Sequence, residues 1–112
     1  FLLVSLGAFG GHALRDILTT EQLGLWDIAV KYHMMHTVAI LALAVLLCFQ
    51  KNSLWVWAQL GFLDGILLFS GSLYVLAVTD ATWLAMITPF GGVAFMAGWI
   101  LLIAGVIKKR TS

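Results

Sequence analysis

Charge is scarce in this sequence: Asp, Glu, Lys and Arg make up 10% of its 112 residues, against roughly a quarter in a soluble domain. So few charges do not make a water-facing surface. The six basic and five acidic side chains nearly cancel, so no field of one sign is present to hold nucleic acid or an acidic substrate. The single cysteine, Cys48, excludes an internal disulfide and cannot build a thiolate zinc site alone; its ordinary role is a small apolar filler. Proline occurs once, at Pro89, and no long linker or low-complexity stretch divides residues 1–112, so one compact domain is expected.

What is abundant is apolar. Hydrophobic residues reach 62% and the mean hydropathy is +1.06, so lipid is the solvent from which to argue. The opening segment, FLLVSLGAFGG, offers about 11 apolar residues where a span needs roughly 20, and it reads as the end of a first transmembrane helix that starts upstream. No basic region precedes it to make it a signal peptide. Polar residues follow from His12. Within them LTTEQL places Thr19 as an N-cap with Gln22 three residues on and Leu18 and Leu23 as a hydrophobic staple. Leu23, Trp26, Ala29 and Val30 then share one face, opposite Glu21, Asp27 and Lys31, which predicts an interfacial amphipathic helix over about 20–32.

With no proline between them, that helix continues into a second span, about 33–50, closed by the turn QKNS. The third span covers about 54–78, with Trp55 and Trp57 at interfacial depth. After Thr79, Asp80 and Thr82 comes a fourth, about 83–107, ending at Lys108, Lys109 and Arg110, with Pro89 as a possible kink in its first turns. The fold class is therefore all-α: an integral membrane four-helix bundle with an amphipathic helix between spans one and two. Lys51, Lys108, Lys109 and Arg110 outweigh Arg15 and Lys31, so the positive-inside rule predicts both termini in the cytoplasm. Membrane helices approach closely through small residues. Gly7 and Gly11, Gly61 and Gly65, and the sevenfold series Gly91, Gly98 and Gly105 are the predicted packing positions.

Four phrases, GAFGGHAL at 7–14, WDIAVKYHMMH at 26–36, FSGSLY at 69–74 and TPFGGVAFMAGW at 88–99, resemble the signature of a family of small four-helix membrane proteins. It is numbered 423 among the domains of unknown function, and includes the YgdD-type bacterial proteins and, more distantly, eukaryotic transmembrane protein 256. The resemblance covers nearly the whole chain. It implies a bacterial inner-membrane protein of four helices and brings no assigned activity; Asp64 and His33 are not part of the family's pattern.

The predicted topology puts polar groups from four helices in the outer half of the bundle: His12, His33 and His36, Ser70, Ser72 and Tyr74, and Thr88. Two roles fit them. They hydrogen-bond the helices together, or they line a small outward cavity for a solute, a lipid headgroup or a proton. His33 and His36 share a helix face and His12 could add a third imidazole beside Met34 and Met35, but two histidines on one helix are a weak metal signal. Neither a metal nor another cofactor is expected. No nucleophile motif or phosphate loop is present, so an enzyme is not expected. Asp64, about ten residues into the third span, lies near mid-bilayer by helical rise. Helical spacing puts it on one stripe with Trp57, Gly61, Leu68 and Gly71, and it is predicted to face inward, protonated or hydrogen-bonded to a neighbouring helix, because lipid does not solvate a carboxylate. The leading functional reading is a structural, accessory or interaction protein, whose partners are lipids, other membrane proteins or itself. The second reading is a small transporter or pore.

Overall fold

A computed structural model describes residues 1–111, with side-chain surroundings described through Lys109. The Arg110 side chain and Ser112 lie outside the described residues. The chain forms α1 (Leu2–His12), α2 (Thr20–Phe49), α3 (Ser53–Gly65), a π-helical turn (Ile66–Ser70), α4 (Gly71–Thr79), a 3-10 turn (Thr82–Met86) and α5 (Thr88–Thr111). Three helical stretches are long and apolar enough to cross a membrane: Thr20–Phe49, Ser53–Thr79 and Thr82–Lys109.

Local chemistry accounts for the boundaries. The Thr19 hydroxyl accepts from the Gln22 backbone N–H at 3.2 Å, and the Gln22 side chain accepts from the Thr19 N–H at 2.8 Å, a capping box that satisfies two otherwise orphaned donors. From there α2 runs unbroken for 30 residues, as the lack of an intervening proline predicts. Its buried residues, Trp26, Ala29, His33, His36, Ala39 and Leu43, recur every three or four positions, so the amphipathic segment and the apolar segment bury one continuous face. At the tight turn, Asn52 accepts from the Leu54 and Trp55 N–H groups and starts α3. Asp80 ends α4 in the left-handed region, at φ 58°, where a short polar side chain is tolerated. Pro89 does not kink a continuous fourth helix. The 3-10 turn comes first and α5 starts at Thr88, so the proline falls in the first turn, where a missing N–H costs nothing.

The π-helical turn was not foreseen. The Gly71 N–H reaches back five residues to the Ile66 carbonyl, which widens the helix at the start of FSGSLY.

The α3–α4 rod lies between α2 and α5, and α1 packs on α2. The backbone is a thin layer, 54 × 26 × 14 Å. Asp16, Glu21, Asp27 and Asp80 mark one end of it and Lys51, Lys108 and Lys109 the other; these are called the acidic and basic ends below. One core cluster, around Leu14, Trp26, Ala29, Leu73 and Tyr74, occupies the acidic half. A second, around Leu43, Trp55, Ala58, Phe62 and Phe95, occupies the basic half.

Six of the seven predicted glycines lie against another helix. A Cβ on Gly61 would sit 3.2 Å from the Ala94 carbonyl oxygen and 3.2 Å from the Gly98 Cα, so α3 and α5 touch backbone to backbone there. Gly65 faces the Phe95 ring, Gly91 the backbone of Leu68 and Phe69, Gly98 the Phe62 ring, Gly105 the Trp55 indole and Gly7 the Val30 side chain. Gly11 is the exception: a Cβ there would meet nothing within 4 Å. The close position on α1 is its neighbour Gly10, which lies under the Trp26 indole. A four-residue spacing selects a helix face, but only the partner's shape decides which glycine on α1 is covered.

Candidate functional site: a polar cluster between the helices

The widened turn delivers the hydroxyls of FSGSLY to two different neighbours. Ser70 is fully buried and donates to the Ala29 carbonyl oxygen on α2 at 2.8 Å. One turn further, the Tyr74 hydroxyl shares a 3.0 Å hydrogen bond with His33 Nδ1. Tyr74 also meets the Trp26 ring edge-on, with centroids 4.7 Å apart. Ser72 points the other way. Its hydroxyl lies 2.6 Å from that of Thr88 on α5 and 2.9 Å from the Phe69 carbonyl oxygen, and Thr88 lies 3.3 Å from the Leu84 carbonyl oxygen. The two hydroxyls carry two protons for these three contacts, so at any moment one contact is without a donor.

His36 ties α2 to α5. Its Nδ1 donates to the Tyr32 carbonyl oxygen at 2.8 Å, and its Nε2 accepts from the Trp99 indole at 3.0 Å. An indole N–H only donates, so the ring proton of His36 sits on Nδ1. The imidazole stacks on Phe95 with centroids 3.6 Å apart and planes 10° from parallel. Both nitrogens and one ring face are thus occupied by the protein.

Of the predicted cluster, His33, His36, Ser70, Ser72, Tyr74 and Thr88 stand at these helix contacts, as two linked pairs and two separate bridges. His12 does not join them; it is exposed at the end of α1, because the chain turns away there to reach α2. Among the described residues no three His, Cys, Asp or Glu side chains come together to hold a metal ion.

Asp64 departs from expectation outright. It is exposed, on the opposite side of α3 from the buried Trp55, Ala58, Phe62 and Gly65. The expected stripe placed it with Gly61. On a helix those two positions are only 60° apart, yet α5 covers Gly61 and stops short of Asp64. Among the described residues none hydrogen-bonds to it or pairs with it.

Several bridging residues escaped the sequence reading. The Trp26 indole donates to the Leu6 carbonyl oxygen at 2.9 Å, Gln59 Nε2 to that of Ile40 at 3.1 Å, Asn52 Nδ2 to that of Gly105 at 3.1 Å and the Trp55 indole to that of Leu102 at 3.2 Å. Gln59 and Asn52 carried a readable signal, since a side-chain amide within or beside an apolar span needs a partner. The acceptors carried none, being backbone.

Among the described residues no buried side-chain nitrogen or oxygen lacks a partner. Clefts open at the outside of the bundle. One of about 320 Å³ runs along the lipid side between α2 and α5; it touches His36 at the edge of the cluster and is otherwise walled by apolar and aromatic side chains, Tyr32, Phe95, Met96 and Trp99 among them. Another of about 330 Å³ sits at the acidic end between Gly11, Arg15 and Asp27.

Long apolar helices, packed through glycine and tied by hydrogen bonds that close within the chain, define a multi-helix integral membrane protein. Residues 6–92 match the family described as protein of unknown function DUF423, and the chain belongs to that family. It is 41% identical over 111 residues to the UPF0382 inner membrane protein YgdD of Escherichia coli K12, covering 98% of this chain and 84% of that protein. A UPF0382 membrane protein of Haemophilus influenzae is 42% identical over 111 residues, covering 99% and 89%. The UPF0382 membrane protein YwdK of Bacillus subtilis is 40% identical over 109 residues, covering 96% and 88%. No solved structure matches.

Proposed function

We propose that this chain is a structural or accessory protein of a bacterial inner membrane, acting by association and not by catalysis. In this reading it has four spans and both termini in the cytoplasm. The observation that carries the reading is how the polar cluster is bonded: Ser70, Ser72, Tyr74, Thr88, both ring nitrogens of His36 and Nδ1 of His33 all bond to other groups of this chain. A solute or proton path needs polar groups facing water or ligand. The inner-membrane placement is supported by the name of the Escherichia coli relative, an inner membrane protein, and the orientation by the basic end, which holds Lys51, Lys108 and Lys109.

Vesicles containing the purified protein should pass protons and small solutes no faster than protein-free vesicles. A flux abolished by Tyr74→Phe would replace this reading with the transporter. For orientation, a cysteine at Thr82 should react with an impermeant thiol reagent added outside the cell and one at Ser112 should not, in a background with Cys48 replaced. The reverse pattern would invert the bundle.

A further inference from the structure

Asp64 is the polar group that the helix contacts leave out. It lies in the middle of Ser53–Thr79, a 27-residue apolar stretch, about 16 Å from its start by helical rise. The adjacent Gly65 faces Phe95, which stacks on His36, so Asp64 is level with the centre of the bundle. Trp57, Leu60, Leu63, Leu67 and Leu68 surround it, all exposed. The face is smooth, apolar and broken by one carboxyl group.

Lipid does not solvate such a group, and intramembrane acids accordingly face protein or water. A lysine could reach the interface along its flexible stem; aspartate has a single methylene and stays where its backbone puts it. Among the described residues nothing covers it, since α5 packs on the adjacent side of α3 and α1 packs on α2. We propose that this open face of α3 docks a transmembrane helix of another protein that presents a lysine or arginine at mid-depth. The inference rests on the accessory reading and names the chemistry of the partner. Charge complementarity selects that occupant over a second copy. Of the six Lys and Arg residues, at positions 15, 31, 51 and 108–110, none lies on α3; Lys31 sits on α2, on the side away from that helix's buried face, and His33 and His36 are already bonded within the bundle. A second copy docked through the same face of α3 would bring another carboxyl to the contact and no cation.

The test co-expresses the full chain with a leucine-based transmembrane probe helix carrying one central lysine, or leucine in its place. A cysteine at Leu60, one turn from Asp64, reports contact by disulfide trapping to the probe, with Cys48 replaced by serine. Trapping should be about tenfold greater for the lysine probe than for the all-leucine probe. Asp64→Asn and Asp64→Leu should each remove that difference, and Asp64→Lys paired with an aspartate probe should restore it. Melting in detergent checks that each variant is folded, which is expected because no helix of this chain packs on the site. Equal trapping of both probes by the folded wild-type chain overturns the proposal. So does Asp64-dependent trapping between two copies through Leu60→Cys, which would make the occupant a second copy. Failure here leaves the flux result standing, and a conducting vesicle would defeat the accessory reading without touching the lysine dependence.

Discussion

Both halves of this bundle combine close fit with hydrogen bonds, but the partners differ. Backbone carbonyls accept from Asn52, Trp55 and Gln59 in the basic half, whereas in the acidic half Tyr74 and Ser72 meet side chains of the neighbouring helices. In the basic half α3 and α5 touch backbone to backbone at Gly61 and Gly98, and Phe62 and Trp55 fill the spaces over Gly98 and Gly105. In the acidic half Tyr74, Ser70 and Ser72 reach across to His33, Ala29 and Thr88. Lipid gives no hydrophobic drive to either contact, so each must come from close fit or from hydrogen bonds. Close fit is unforgiving of added volume, whereas a hydrogen bond is lost one contact at a time.

Substitutions should separate the two regimes, and the largest effect is expected at Gly91. A Cβ there would run into the Leu68 and Phe69 backbone, which cannot step aside as a side chain can. Gly91→Ala should cost about 1–3 kcal/mol in a melting or denaturant titration in detergent, despite the helix propensity it gains. An unchanged midpoint would mean that α5 slides freely and that close fit is not what holds it.

Loss of single hydrogen bonds comes next. Ser70→Ala and Tyr74→Phe should each cost about 0.6 kcal/mol. Their partners are separate, so the double variant should show the sum. Ser72→Ala and Thr88→Val break the same contact, and their combination should cost little more than either alone. Additivity in the second pair, or strong coupling in the first, would redraw the cluster. The smallest effect belongs to Gly11→Ala, where open space surrounds the added methyl. Stability should hold or rise by a few tenths of a kcal/mol, through helix propensity. A large loss there would show that something outside this chain rests on Gly11.

Much of this arrangement was legible from periodicity. The Thr19 and Gln22 cap, the unbroken run into the second apolar segment, and six of the glycine contacts follow from spacing and residue type alone. So does the meeting of FSGSLY with α2 and α5, because polar groups in lipid must find one another. Spacing could not decide between Gly10 and Gly11, which differ only in whether Trp26 happens to lie above them. Nor could it place Asp64. The stripe that joined it to Gly61 was correct as a helical spacing, but α5 covers only part of that stripe, and the width of a contact is a property of both partners. Trp99 stood in plain view within TPFGGVAFMAGW, yet its partner is 63 positions away at His36, a pairing no local pattern encodes.

The wide turn at Ile66–Ser70 carries a consequence of its own. One residue more than an α-helix needs shifts the angular phase of everything after it by about 100°. Upstream, α3 keeps the phase that sets Gly61 and Gly65 on α5; downstream, α4 has another that sets Ser70 and Tyr74 on α2. A single rod thereby addresses two neighbours without a bend or a break. Deleting one residue between Ile66 and Ser70 would leave every helical hydrogen bond intact and a perfectly regular span. It would also aim the serines and the tyrosine away from their partners, so that the more regular helix would be the one unable to hold the bundle.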